Sequence, residues 1–139
     1  MNEKVFVDTN ILVYAHDRDA GKKHIKAQEL IRSLWHSGNV AISTQVLQEF
    51  YLTLRRKMSN QITISQARGA VENYFAWEVV KNNCYSILKA SEIEERYQLS
   101  FWDSLIIAAA ADAGSAYIWT EDLNHGQLIE GMRIENPLK

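Results

Sequence analysis

Short polar and acidic residues directly follow three apolar runs of strand length. The three junctions are Val5-Phe6-Val7 before Asp8-Thr9-Asn10, Val40-Ala41-Ile42 before Ser43-Thr44, and Tyr117-Ile118-Trp119 before Thr120-Glu121-Asp122. In open α/β sheets, ligands bind outside the carboxyl ends of the strands, where such residues would lie. We therefore expect an acidic, hydrogen-bonding site at one edge of a sheet.

Two further acids, Asp103 and Glu49, have less support from their positions alone. Asp103 lies in the first turn of a helix that is apolar on almost every side, so its carboxylate needs a partner or a cation. The spacing from Ser100 to Asp103 is also that of a capping box, and the spacing by itself favours this role. Glu49 lies away from the apolar face of its helix, and the periodicity indicates a surface charge.

Convergence of these acids would limit what the site can bind. Two unit charges about 4 Å apart repel by roughly 4 kcal/mol at an effective dielectric constant of 20. Four carboxylates in one pocket must therefore either take up protons or bind hard divalent cations, which prefer oxygen ligands. Such cations supply the acidity for hydrolysis of a phosphodiester, and the chain has no evident nucleophile–base pair that would do so instead.

Four segments resemble, in chain order, the motifs of the PIN-domain family. They are FVDTNIL (6–12), ISTQVLQEF (42–50), FWDS (101–104) and WTEDL (119–123). The closing segments NHGQ (124–127) and NP (136–137) are typical of a bacterial branch of that family. A single motif of this kind occurs by chance, whereas four in order along the whole chain are specific.

The resemblance implies an endoribonuclease that depends on Mg²⁺ or Mn²⁺ and leaves a 5′-phosphate and a 3′-hydroxyl. Metal binding and catalysis are then expected of four acids: Asp8, Glu49, Asp103 and Asp122. Glu121 is a rival to Asp122 for the fourth position. Three polar residues are expected to orient these acids: Asn10, Ser43 and Thr120.

The resemblance also implies partners. Many small single-domain members are VapC-type toxins that a small antitoxin neutralises, and members tend to form homodimers, so RNA, an antitoxin and a second copy are expected. Alternatives are an RNA-processing nuclease of the same fold without an antitoxin, and a catalytically silent domain that binds RNA or protein. A haloacid-dehalogenase-like phosphatase would need a second Asp at the position of Asn10, and a receiver-like domain would need an adjacent acidic pair.

The net charge of −2 argues against a simple nucleic-acid binder, which usually has a basic excess. Contacts to RNA would have to be local, and the run Arg55, Arg56 and Lys57 is one source of them. The same run would also suit the C-terminal end of a helix, where cations are favourable.

Alternating strand and helix patterns must position these residues. Helices are predicted over about 20–37, over about 83–97, and from Ser100 to Gly114. A fourth is predicted along an apolar stripe at 46–54. A fifth is predicted to begin at the capping box of Thr63 and Gln66, with Phe75 facing inward. Further short strands are predicted at 78–80 and 133–135. This alternation predicts a three-layer α/β/α sandwich with a mainly parallel central sheet.

Length and composition set the remaining expectations. The 139 residues, 47% of them apolar, are expected to form a single domain over 1–139. One cysteine, Cys84, allows no intramolecular disulfide. Neither a signal-peptide pattern nor an apolar run of membrane-spanning length is present, so a cytoplasmic protein that does not enter the membrane is expected.

Overall fold

The computed structural model describes residues 3–139; residues 1 and 2, which the single-domain prediction includes, lie outside the described residues. Within that range the strands are β1 (Val5–Val7), β2 (Val40–Ser43), β3 (Glu78–Val80), β4 (Tyr117–Trp119), β5 (Leu128–Ile129) and β6 (Met132–Glu135). The helices are α1 (Thr9–His16), α2 (Lys22–Ser37), α3 (Thr44–Lys57), α4 (Ile64–Asn73), α5 (Cys84–Tyr97) and α6 (Phe101–Asp112). Short 3₁₀ turns cover Arg18–Ala20 and Tyr74–Ala76.

One sheet has the strand order β3-β2-β1-β4-β6-β5. Neighbouring strands run parallel, except that β5 and β6 form an antiparallel pair. Strand β1 is central, with Val5 in register with Val40 on one side and Tyr117 on the other. The carboxyl ends of β1 and β4 are therefore adjacent, and the Asp8 N–H donates to the Trp119 carbonyl at 2.9 Å.

Helices cover this sheet in two groups. Helix α1 packs on α2 and α3, while α5 packs on α6, which also contacts β2 and β3. The strands β1 and β2 are buried along their whole length, as are residues 104–110 of α6. The prediction of an α/β sandwich with a mainly parallel sheet is thus confirmed.

Local sequence patterns set several element boundaries as predicted. Gly38 ends α2 in the left-handed conformation, with φ of 75°, which costs glycine nothing because it has no Cβ. Thr63 and Gln66 form the predicted capping box at the start of α4. Ser100 caps α6 by accepting the N–H of Asp103.

Other parts of the described fold differ from the sequence-based prediction. Helix α1 was not predicted, because its residues are buried on most sides and give no amphipathic pattern. The two-residue strand β5 is too short to produce a periodicity. Phe75 was expected to face inward, and this is wrong: it is 61% exposed, because α4 ends at Asn73 and a 3₁₀ turn shifts the helical register. Across residues 3–139, the helices are all too short or too polar to span a membrane.

Candidate active site

Asp8 is a buried acid at the junction of β1 and α1. Its Oδ1 accepts the N–H of Thr9 at 2.7 Å, and its Oδ2 accepts the Thr120 hydroxyl at 2.8 Å. Burial raises the pKa of Asp8 to about 6; the two hydrogen bonds oppose this shift, and the charges of Asp122 and Glu49 add to it. The carboxyl group is therefore held in a fixed orientation, and the charged side chains that act on it are both negative.

Glu49 reaches the same place from α3. Its Oε1 accepts the Thr9 hydroxyl at 2.6 Å, and its Oε2 accepts the Gln45 side-chain amide at 3.2 Å. The same Gln45 nitrogen donates to the Trp102 carbonyl of α6, also at 3.2 Å. Glu49 is half-buried and hydrogen-bonded, which differs from the surface charge that helical periodicity indicated.

Asp103 is half-buried in the first turn of α6. Its N–H donates to the Ser100 hydroxyl at 3.1 Å, which is the Ser100 half of the predicted capping box. Desolvation raises the pKa of the Asp103 carboxyl group; the Ser100 hydroxyl opposes the shift, and the charges of Asp122 and Glu49 add to it. The backbone N–H of this residue therefore belongs to the cap, while its carboxylate lies within electrostatic reach of Asp122 and Glu49.

The loop after β4 separates the two rivals for the fourth acidic position. Asp122 lines a cleft together with Glu49, and its N–H donates to the Thr120 hydroxyl at 3.1 Å. Glu121 instead accepts the Tyr14 hydroxyl at 2.6 Å and pairs with Lys23 at 2.7 Å. The geometry thus favours Asp122 over Glu121 as the fourth member of the acidic group.

The three residues expected to orient the acids have different environments. Thr120 is fully buried and links Asp8 to the backbone of Asp122. Asn10 accepts the Glu121 N–H at 3.4 Å, while its own buried side-chain nitrogen has no partner. The Ser43 hydroxyl accepts the Val46 N–H at 3.2 Å, so this residue caps α3 and its hydrogen bond goes to no acid.

Two polar residues beside the acids make contacts that the sequence did not predict. Thr9 donates its hydroxyl to Glu49, and Gln45 lies one helical turn before Glu49 and donates to it. The second could have been found from its i, i+4 spacing on α3, since side chains so spaced are neighbours. The first gave no such sign, because its partner lies 40 residues away along the chain.

A cleft of about 360 Å³ opens between α1, α3 and the loop after β4. Its lining includes Glu49, Asp122, Arg56 and Lys57. Arg55, the first residue of the predicted basic run, is not part of this lining. Its guanidinium lies 5.9 Å from the centre of the Tyr51 ring, because successive side chains of a helix point in different directions. Two of the three basic residues therefore reach the cleft.

The donor set of the site fits a hard divalent cation. All four acids offer oxygen, and no Lys, Arg or His in residues 3–139 forms an ion pair with any of them. Within the same residues, no group of three or more acidic, imidazole or thiol side chains is arranged to hold a metal ion, so the fit concerns the chemistry of the donors. Burial raises the pKa of Asp8 and of Asp103, and repulsion from Asp122 and Glu49 adds to both shifts; a bound cation would relieve this excess of negative charge.

Comparisons with known proteins agree with this architecture. The family model of the PIN domain matches residues 5–128. VapC20 of Mycobacterium tuberculosis, described as a toxin that cleaves the sarcin-ricin loop, has a similar structure: TM-score 0.67, 23% identity, 86% of this chain and 90% of that chain covered. No curated protein sequence matches the chain significantly.

Two solved complexes contain a chain of similar fold. A toxin–antitoxin complex from Klebsiella pneumoniae aligns with a TM-score of 0.70 and 18% identity over 96% of this chain and 98% of that chain. VapBC2 from Rickettsia felis, bound to a DNA fragment of its promoter, aligns with a TM-score of 0.65 and 19% identity over 94% and 96%. At these identities the likeness demonstrates a shared fold.

Proposed function

The chain belongs to the PIN-domain family, and from this we propose that it is a divalent-cation-dependent endoribonuclease acting as the toxin of a toxin–antitoxin pair. The observation that carries the proposal is that Glu49 and Asp122 line one cleft and that both act electrostatically on Asp8 and on Asp103. Thr9 links Glu49 to the end of β1, and Thr120 links Asp8 to the loop of Asp122. The substrate would be RNA in the cytoplasm.

In this proposal four acids hold Mg²⁺ or Mn²⁺: Asp8, Glu49, Asp103 and Asp122. When bound, such an ion makes water a stronger acid and stabilises charge on the leaving oxygen of a phosphodiester, so that the products carry a 5′-phosphate and a 3′-hydroxyl. Thr120 and the Thr9 N–H hold the Asp8 carboxylate in one orientation. The Thr9 hydroxyl and Gln45 do the same for Glu49.

Arg56 and Lys57 would bind RNA phosphates beside the acids. Both line the cleft, and neither forms an ion pair within the described residues, so their charges are available to a polyanion. Apolar and aromatic walls from Val13, Tyr14 and Leu52 complete the cleft. Phosphate contacts of this kind position a nucleic acid without reading its sequence.

A small antitoxin protein and a second copy of the chain are the proposed partners. The solved neighbours from Klebsiella pneumoniae, Rickettsia felis and Salmonella typhimurium are described as toxin–antitoxin or VapBC complexes, which supports the first. An antitoxin that covered the acidic cleft would compete directly with RNA.

Replacing Asp8 with Asn tests the proposed activity. We expect D8N to lower Mg²⁺- or Mn²⁺-dependent cleavage of total RNA by about 100-fold or more, because even residues that only orient metal ligands are worth 10–100-fold. The matched control is Asp112→Asn, which changes an exposed acid at the C-terminal end of α6 and should cleave like the unaltered protein. EDTA should abolish cleavage by the unaltered protein and by D112N. Full cleavage by D8N would refute the proposal, and a silent domain would show no cleavage in any variant.

A further inference from the structure

Side chains from two helices contact Glu121, which lies in the loop after β4. Its Oε1 accepts the Tyr14 hydroxyl of α1 at 2.6 Å, and its Oε2 accepts from Lys23 Nζ of α2 at 2.7 Å. Lys23 Nζ also lies 3.4 Å from the Tyr14 hydroxyl and 5.0 Å from the centre of the Tyr14 ring. We call Tyr14, Lys23 and Glu121 the Glu121 clamp; it connects the loop after β4 to both helices.

Asp122, the next residue, has little support of its own. Its side chain is exposed, and in the part of the chain that the structure describes its carboxylate forms neither a hydrogen bond nor an ion pair; its backbone N–H bonds to Thr120. The Glu121 N–H, by contrast, bonds to Asn10 of α1 at 3.4 Å. The position of Asp122 therefore depends on what holds its neighbours.

The geometry points to a positioning role for the Glu121 clamp: we propose that Tyr14 and Lys23, acting through Glu121, hold the Asp122 carboxylate at the acidic cleft and thereby set the affinity of this chain for a divalent cation. This inference rests on the proposed function, since it concerns the same group of acids. Tyr14 also lines the cleft, so the clamp forms part of its wall.

Electrostatics explains why such a device is needed. Asp122 repels Asp8 and Asp103, and adjacent Cα atoms are only about 3.8 Å apart, so fixing Glu121 restricts how far Asp122 can move away. Lys23 balances the charge of Glu121, which would otherwise add to the repulsion. A site held in its binding geometry before the ligand arrives binds more tightly, because less ordering remains to be done.

The clamp contributes little to folding by comparison. The side chains of Lys23 and Glu121 are 50% and 25% exposed, and ion pairs this exposed add little to the free energy of unfolding. Loss of the clamp should therefore change cation binding much more than the melting temperature. This difference separates a positioning role from a merely structural one.

The test compares Tyr14→Phe and Lys23→Met with the unaltered protein. Each variant keeps the bulk of the side chain and removes one hydrogen bond to Glu121. We expect the Kd for Mn²⁺, measured by electron paramagnetic resonance without RNA, to rise about tenfold, in the range seen when groups that orient metal ligands are removed. For RNA cleavage, kcat should fall by a similar factor while KM stays unchanged, and Tm should move by no more than about 2 °C.

A second group of the same chemistry supplies the matched controls. Glu130 pairs with Lys89 at 2.9 Å and Arg96 at 2.6 Å and accepts the Tyr97 hydroxyl at 3.1 Å, in the turn between β5 and β6. Tyr97→Phe and Lys89→Met remove equivalent interactions away from the acids. Both should bind Mn²⁺ as the unaltered protein does.

The outcomes distinguish this inference from the proposed function. If the unaltered protein binds Mn²⁺ and the Tyr14 and Lys23 variants bind it equally well, the clamp has no positioning role and the proposed function stands. Equal losses of Mn²⁺ affinity in the Tyr14 and Tyr97 variants would also overturn the inference, because they would indicate a general structural effect. If the unaltered protein binds no Mn²⁺, the proposed metal site fails and the inference fails with it.

Discussion

Asp8 is unfavourable for folding at neutral pH and yet suits the proposed metal site. Its carboxyl group lies under α1 and β4, where burial raises its pKa to about 6 despite two hydrogen bonds. An acid whose pKa is higher in the folded than in the unfolded protein stabilises the fold only while it is protonated. The stabilisation is complete below the unfolded pKa of about 4 and is lost as the pH rises through 6.

Asp8→Asn should therefore stabilise the metal-free protein at neutral pH. A shift of about two pKa units corresponds to roughly 3 kcal/mol, so in EDTA at pH 7.5 we expect the free energy of unfolding of D8N to exceed that of the unaltered protein by up to that amount. At pH 4 the two proteins should be equally stable. Urea unfolding at both pH values measures this, with D112N as the control; a D8N protein less stable at pH 7.5 would contradict it.

At the scale of the element, the first turn of α6 both contains a helix cap and supplies one of the acids. Ser100 accepts the N–H of Asp103, and the Asp103 carboxylate lies within electrostatic reach of Glu49 and Asp122. Helix α4 offers a comparison, because Thr63 caps it in the same way and α4 supplies none of the acids. The two caps allow stability to be separated from activity.

Ser100→Ala and Thr63→Ala should each lower the free energy of unfolding by about 1 kcal/mol, the usual cost of removing such a cap. S100A should also lower RNA cleavage several-fold, since the first turn of α6 orients Asp103, whereas T63A should cleave normally. Urea unfolding and cleavage rates measure the two effects. Equal cleavage by both variants would show that the cap has no influence on the acid.

Element prediction succeeded for α2 and failed for α1 and β5, and the residue patterns of these segments explain the difference. Helix α2 buries Ala27, Ile31 and Leu34 at helical spacing, and Gly38 marks its end, so its limits followed from sequence. Helix α1 has no polar face to produce a period, and β5 has two residues. Local patterns carry no information about which tertiary neighbours an apolar segment will meet.

At the scale of the whole molecule, a net charge of −2 means that the proposed RNA binding would depend on a few local cations. Arg56 and Lys57 line the cleft, while Arg55 lies over Tyr51. We expect the double variant R56Q/K57Q to raise KM for RNA about tenfold. Its binding should also depend less on salt: the slope of log binding constant against log salt concentration should become shallower by about 0.7 for each phosphate that is no longer neutralised. R55Q should behave as the unaltered protein does; an equal effect of R55Q would indicate that the basic run acts only through overall charge.

The alternation of strands and helices in the sequence was enough to predict that three strand ends lie at one edge of the sheet. The proximity of Glu49 and Asp103 to Asp122 depends on contacts between distant segments, such as Thr9 with Glu49 and Gln45 with Trp102. Helical periodicity reports only which face is apolar, so it indicated a surface position for Glu49. The choice between Glu121 and Asp122 likewise depended on Tyr14 and Lys23, more than 90 residues earlier in the chain.

The central position of β1 has a consequence during translation. The ribosome makes β1 well before β4, its neighbour on one side, which ends at Trp119. A nascent chain that stops before residue 117 lacks that neighbour, the Thr120 hydroxyl and the carboxylate of Asp122. With the proposed activity, the growing polypeptide leaves its own messenger and its own ribosome intact until β4 and Asp122 have emerged and joined β1.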